Sequence, residues 1–261
     1  MQQKNFVKDK LTAGTPVLGV WSIINSAIVT EIMATAGLDF QILDLEHGAF
    51  DVPSLDASIR ACEAAGCSPF VRVAGLHPTS IQTALDLGAH GIVVPQVQGA
   101  ADAARAVEAA KFAPEGTRGY NPFTRAGAYL GGIGDTPPKL RNDFALTAVI
   151  LENRRSYDEL DQILAIGGLD MIYLGTYDMS VVLGCMGEMN NPKLLEFVES
   201  STRRIKQAGK FVGLMVGSRE QIDRYLGLGA DVFLYMVDTF LLSNAVHSAV
   251  QAFSDAKDAR K

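Results

Sequence analysis

Short runs of β-branched and aliphatic residues alternate with longer Ala- and Leu-rich stretches of helical period along the chain, and this alternation constrains the fold more than any other feature. Eight runs read as strands: residues 16–21, 40–45, 69–73, 91–95, 146–151, 171–175, 211–216 and 232–236. Each precedes a stretch of helical spacing, at 28–36, 55–65, 79–87, 101–112, 157–166, 192–208, 219–228 and 239–253. Gly37, Gly66, Gly88, Gly209 and Gly229 each lie just past a helical run, where a left-handed residue ends a helix without steric cost. Repeats of strand then helix imply a parallel sheet, and eight is the number that closes one into a barrel. The expectation is an α/β protein, a (β/α)8 TIM barrel forming a single domain over residues 1–261. The rival is an open doubly wound sheet. It would favour a glycine fingerprint after the first strand, and Gly19-Val-Trp-Ser-Ile-Ile-Asn25 contains none.

Composition excludes several function classes. With 48% hydrophobic and 20% charged residues, a chain of 261 residues can bury a large core and is no disordered polymer. A net charge of -6 without clustered Lys and Arg argues against nucleic-acid binding. The short Arg203, Arg204, Lys206 run reads as a solvated helix face. Charges or glycines interrupt every apolar run before it reaches the length of a membrane span, so no membrane partner is expected. Cys62, Cys67 and Cys185 lack the doubled close spacing of a zinc site and fit a reducing compartment. The first ten residues are mixed polar, without the apolar core of an export signal, so the expected location is the cytoplasm.

One connection departs from the repeat. Residues 113–144 form a long insertion rich in Gly and Pro, and long irregular loops in compact domains commonly serve function. The cations and aromatics of Arg118-Gly-Tyr-Asn-Pro-Phe-Thr-Arg125 suit a lid or a subunit contact more than a linker. Gly131, Gly132 and Gly134 read as a flexible loop, being weak as a phosphate cradle.

In a TIM barrel the C-terminal strand ends carry the chemistry. Here strand one ends at Trp21, strand two opens into Asp44-Leu-Glu-His-Gly48, strand three ends at Arg72, strand four gives Pro95 and Gln96, strand five gives Glu152, strand six Gly175-Thr-Tyr-Asp178, and strand eight is followed by Asp238. Charges are rarely buried unpaired, so these groups need one another, a metal or a ligand. Barrel closure sets strands five and six side by side, and the repulsion of Glu152 and Asp178 then asks for a hard divalent cation such as Mg2+ or Mn2+. On spacing alone a bland alternative stays equal: Glu152 pairs with Arg154 or Arg155, and Asp178 caps a turn. Arg72 suits a substrate carboxylate and an adjacent oxyanion, or a rim ion pair with Asp44 or Glu46. His47 is the histidine at the catalytic face and suits proton transfer, or bonds a loop carbonyl. His77, His90 and His247 read as structural, and Trp21 as a wall of the pocket or packing of its rim. No strand-end lysine suits a Schiff base, and no organic cofactor is expected.

Together, Leu18-Gly-Val-Trp21, Asp44-Leu-Glu-His-Gly48, Phe70-Val-Arg-Val73, Leu85-Asp-Leu-Gly-Ala-His-Gly-Ile-Val-Val-Pro95, Gly116-Thr-Arg-Gly-Tyr120, Ile150-Leu-Glu-Asn153 and Leu174-Gly-Thr-Tyr-Asp-Met-Ser180 resemble one family. It is the HpcH/HpaI class II aldolases, metal-dependent pyruvate aldolases of the phosphoenolpyruvate/pyruvate barrel superfamily. The resemblance spans nearly the whole chain. It implies that Glu152 and Asp178 bind the metal, with Mg2+ or Mn2+ favoured and Co2+ allowed. Arg72 then contacts the pyruvate carboxylate and enolate oxygen, and His47 acts in acid/base steps with a metal-bound water. Asp44 and Asp86 orient His47 or the site, one of them from a neighbouring subunit in some assemblies. Trp21 and Thr176 line the substrate, and backbone amides around Tyr177 and Asp178 receive its carboxylate. Two positions depart from the pattern of many relatives: Thr176 stands in place of a proline and Ile150 in place of a polar Gln.

The resemblance further implies small-molecule partners, a 2-oxo acid and an aldehyde, and a homo-oligomer, a hexamer built from trimers. The expected activity is reversible cleavage of a 4-hydroxy-2-oxo acid. Rival readings are another carbon–carbon lyase or condensing enzyme on the same barrel, citrate-forming or acyl-CoA-cleaving, and a noncatalytic barrel that binds a 2-oxo acid.

Overall fold

Eight parallel strands close into one barrel in sequence order: β1 (Val17–Ser22), β2 (Phe40–Asp44), β3 (Ser68–Arg72), β4 (Gly91–Val94), β5 (Leu146–Leu151), β6 (Met171–Leu174), β7 (Phe211–Val216) and β8 (Val232–Val237). The structure, a computed structural model, describes residues 5–130 and 142–260. Each expected strand is present, with its ends moved by no more than one residue.

The helices are α1 (Phe6–Thr12), α2 (Ala27–Thr35), α3 (Val52–Ala64), α4 (Pro78–Asp86), α5 (Ala100–Ala110), α6 (Arg154–Asp158), α7 (Leu160–Leu164), α8 (Thr176–Val182), α9 (Pro192–Gln207), α10 (Arg219–Gly227) and α11 (Asp238–Asp258). The sequence pattern misses α1 and α8, each 7 residues long and too short to display a helical period. The helix expected over 157–166 starts earlier, because the Asn153 side chain accepts the Ser156 N–H and caps the first turn. It then breaks at Glu159 into α6 and α7. The five punctuating glycines all adopt the left-handed backbone expected of them. Among the described residues no helix is long and apolar enough to cross a membrane.

Strand residues alternate between two apolar layers. Phe40, Ile42, Phe70, Val93, Leu146, Ala148, Ile150, Met171, Tyr173 and Leu234 fill the barrel interior, while Leu43, Val71, Ile92, Val149, Leu151, Ile172 and Leu214 pack outward beneath the helices. Each fully buried aliphatic or aromatic side chain of this kind contributes about 1.5–3 kcal/mol. The interior must also fit its rings: Tyr173 lies opposite Gly213, where an added Cβ would come within 2.9 Å of the tyrosine ring. The same alternation, continued to the C-terminal ends, turns Trp21, Asp44, Arg72 and Glu152 toward the barrel axis.

The described part of the 113–144 connection does not cover that end of its own barrel. It folds along the flank toward the C-termini of α3 and α4, where Arg118 Nη2 bonds Asp86 Oδ1 at 2.6 Å and Arg125 bonds Glu63 and the Leu87 carbonyl. Its lid reading is therefore unsupported within one chain, and Gly131, Gly132 and Gly134 lie outside the described residues.

Candidate active site

Neighbouring strands place Asp44 opposite Arg72 in register, and the two side chains meet as a fork. Arg72 donates from Nε to Asp44 Oδ1 at 2.8 Å and from Nη2 to Asp44 Oδ2, and its Nη1 lies 3.0 Å from Glu46 Oε2. Burial opposes the Arg72 charge, but the Asp44 bonds and the charges of Asp44 and Glu46 outweigh it and raise its pKa. The guanidinium stacks 4.3 Å above the centre of the Trp21 ring. Trp21 is buried, and its Nε1–H donates to the Tyr173 hydroxyl at 3.1 Å, so the indole is the floor beneath Arg72 rather than an open wall. The rim ion pair and the site reading of Arg72 thus coexist. Asp44 holds two of its N–H groups and Glu46 pairs with Nη1, so terminal N–H groups remain for a ligand.

Glu152 and Asp178 flank this fork. β5 and β6 pair at Leu151 and Leu174, and Gly175 lets the two strand exits close, since a Cβ there would sit 2.7 Å from Glu152 Cβ. Glu152 does not take the bland partners. Arg154 bonds Asp158 at 3.0 Å and Arg155 bonds Glu159 at 2.9 Å instead. Glu152 Oε1 accepts only a backbone N–H, from Gln96, among the bonds described for it. Burial pushes the Glu152 pKa up to about 7; the Gln96 N–H opposes this, Asp178 and Glu46 add to it, and Arg72 opposes it more weakly. Among the described residues no cationic side chain bonds this carboxyl. Asp178 stands exposed in the first turn of α8. Among the described residues no three His, Cys, Asp or Glu side chains form a closed metal cage. Two carboxylates with open positions fit a hard, oxygen-preferring divalent ion that keeps waters or a ligand oxygen, and not structural zinc.

The other expected residues divide. His47 stands at the mouth with an exposed ring, its Nε2 4.0 Å from Glu46 Oε2. Asp44 reaches His47 through the backbone: Oδ1 accepts the N–H of Glu46 at 2.9 Å and of His47 at 3.3 Å, while its remaining capacity serves Arg72. Thr176 is buried and Tyr177 is half exposed at the start of α8. Asp86 is not brought to the site of its own chain; it ends α4 and bonds Arg118. His90 is structural as expected, buried between Ser68 Oγ at 3.1 Å and Glu63 Oε1 at 3.0 Å. The sequence places Glu46 and Gln96 at the strand ends, Glu46 also as an ion-pair partner of Arg72, but gives neither a role in the site. Gln96 Nε2 donates to Glu46 Oε1 at 2.6 Å. The signal for Glu46 was its position two residues beyond Asp44, which keeps it on the inward face.

Residues 18–245 match the family model described as HpcH/HpaI aldolase/citrate lyase. A 4-hydroxy-2-oxo-heptane-1,7-dioate aldolase of Klebsiella pneumoniae subsp. pneumoniae is 32% identical over 250 residues, spanning 96% of this chain and 94% of the relative. The crystal structure of an HpcH/HpaI aldolase/citrate lyase family protein from Burkholderia cenocepacia J2315 aligns with a TM-score of 0.89 at 29% identity, covering 96% of this chain and all of its own. That of the citrate synthase SbnG aligns with a TM-score of 0.88 at 26% identity over 98% of this chain and all of its own. With the profile spanning the barrel from β1 into α11, the chain belongs to the HpcH/HpaI aldolase/citrate lyase family.

Proposed function

We propose that the protein is a divalent-metal-dependent class II aldolase that cleaves a 4-hydroxy-2-oxo acid to pyruvate, or a close 2-oxo acid, and an aldehyde, and catalyses the reverse condensation. The observation that carries this reading is the Glu152–Asp178 pair, short of a cation, beside a guanidinium fixed by Asp44 and Glu46. Glu152 and Asp178 would hold Mg2+ or Mn2+, and the bound ion would polarise the 2-oxo group and offset negative charge on its oxygen.

The chain's own groups supply the rest. The free N–H groups of Arg72 meet the 2-oxo oxygen, where charge develops as the carbon–carbon bond breaks. First-turn N–H groups of α8 have no intrahelical acceptor and receive the substrate carboxylate. His47 takes the proton of the 4-hydroxyl as the bonding electrons pass to the 2-oxo oxygen and the aldehyde departs. Return of a proton from His47 or water to C3 of the resulting enolate re-forms the 2-oxo group and yields the 2-oxo acid, and the reverse sequence is condensation.

EDTA is expected to abolish pyruvate release, with Mg2+ or Mn2+ restoring it; full activity in the chelated protein would overturn the proposal. The heptanedioate named for the Klebsiella relative is the first compound to test. Likeness to a citrate synthase favours a second reading, a condensing enzyme on the same barrel. Assaying oxaloacetate and acyl-CoA esters beside hydroxy-oxo acids separates the two.

A homohexamer of paired trimers in the cytoplasm belongs to the same proposal. Leu242, Val246, Val250 and Phe253 form an exposed apolar stripe on α11, and Asp86 lies away from its own His47, where a neighbouring subunit could use it. Sedimentation as a monomer would contradict this assembly.

A further inference from the structure

Gln96 leaves β4 with φ of 56°, a left-handed backbone that is costly for a residue other than glycine and therefore calls for a reason. That conformation aims its main-chain N–H at Glu152 Oε1 and its side-chain Nε2 at Glu46 Oε1, 2.6 Å away. The second oxygen of Glu46 lies 3.0 Å from Arg72 Nη1. The Gln96 carbonyl in turn accepts Gln98 Nε2 at 3.1 Å, which steadies the turn. One residue thus joins the carboxylate of strand five to the guanidinium of strand three. Its amide is neutral, so it donates to Glu46 without adding a cation that would compete with Arg72.

We infer that Gln96 is a positioning residue: its side-chain amide seats Glu46, whose other oxygen pairs with Arg72 Nη1 and so helps hold the guanidinium over Trp21. The consequence for turnover rests on the function proposed for Arg72, whereas the seating of Arg72 does not.

Three variants separate the parts. Gln96→Gly keeps the left-handed backbone and the N–H to Glu152 but deletes the amide. Gln96→Asn tolerates the same backbone but is a methylene short of Glu46, and Gln96→Glu replaces the donor with an acceptor facing a carboxylate. Trp21 is the single tryptophan of the chain and lies under Arg72, so its fluorescence in chelated, substrate-free protein reads the seat of Arg72 without catalysis. All three variants are expected to change Trp21 emission. Gln96→Gly should keep or raise the thermal midpoint while kcat falls about 10- to 100-fold, as for a displaced catalytic group. Wild-type emission in Gln96→Gly and Gln96→Asn overturns the inference, whatever the activity. Altered emission with unchanged kcat upholds the inference that Gln96 seats Arg72 and instead removes Arg72 from the proposed reaction.

Discussion

Glu152 and Glu63 are both carboxylates drawn into the barrel wall, at opposite ends of the strands, and they meet opposite surroundings. Glu63, at the C-terminal end of α3, faces His90 Nε2 at 3.0 Å and Arg125, and His90 is itself held by Ser68. Burial pushes the Glu63 carboxyl up, but the bonds from His90 and Arg125 outweigh it and hold the pKa below the ordinary range. Glu152 receives one backbone N–H, faces Asp178 and Glu46, and is pushed up to about 7. At the N-terminal face the charges close on one another and serve stability. At the C-terminal face no cationic side chain among the described residues bonds Glu152, which is the opening that the proposed metal would fill.

Substitutions should split along the same line. Glu152→Ala and Asp178→Ala are expected to lower kcat by about two to three orders of magnitude, the scale of losing one charge-stabilising group, with native circular dichroism. Turnover that survived both would remove the proposed ligands. Arg72→Lys keeps the charge but loses the fork shared with Asp44 and Glu46, so kcat/KM should fall by about 100-fold. A fall of less than a few-fold would show that the geometry of Arg72 is unimportant.

Glu63→Ala should do the reverse, leaving Arg125 and His90 without their carboxylate and lowering stability by about 2–3 kcal/mol, seen as a drop in thermal midpoint with turnover unchanged. A wild-type midpoint would contradict the stability role. The smallest effect is expected for Glu152→Gln in chelated protein, a gain of about 1–2 kcal/mol at pH 8 after allowance for solvent screening. The unfolded chain ionises this carboxyl at about 4.5 and the native chain at about 7. Unfolding between those values releases a proton, so the chelated wild type loses stability as pH rises through that window and then levels. Glu63 has the opposite sign: its stabilisation is present above its unfolded pKa and is lost as pH falls through the lowered native value. Thermal midpoints against pH for wild type, Glu63→Gln and Glu152→Gln check both signs; a destabilised Glu152→Gln would contradict this account.

The barrel was legible because every strand carries its own apolar run and every crossover its own helical period. Its inward face was legible as well, since alternation alone turns Trp21, Asp44, Arg72 and Glu152 to one end. What the sequence withheld is pairing. Asp44 was expected to orient His47 or the site, or to pair with Arg72; its carboxylate serves Arg72 and backbone N–H groups, and residue spacing cannot rank those partners. Gln96 was legible at the end of strand four but without a partner, because its contribution depends on a left-handed backbone that Pro95-Gln96 does not announce. The helix bearing Asp178 has only 7 residues directly after a strand, below the length at which periodicity shows. The route of the 113–144 connection down the flank depends on Asp86 and Glu63, remote in sequence from Arg118 and Arg125.

Titration of chelated protein with Mn2+, following the free ion by electron paramagnetic resonance, tests the central contrast most directly. One ion per chain should bind to wild type and to Glu63→Ala, and binding should be lost in Glu152→Ala and in Asp178→Ala. Undiminished binding in those two variants would contradict the assignment of the open charge to the C-terminal face.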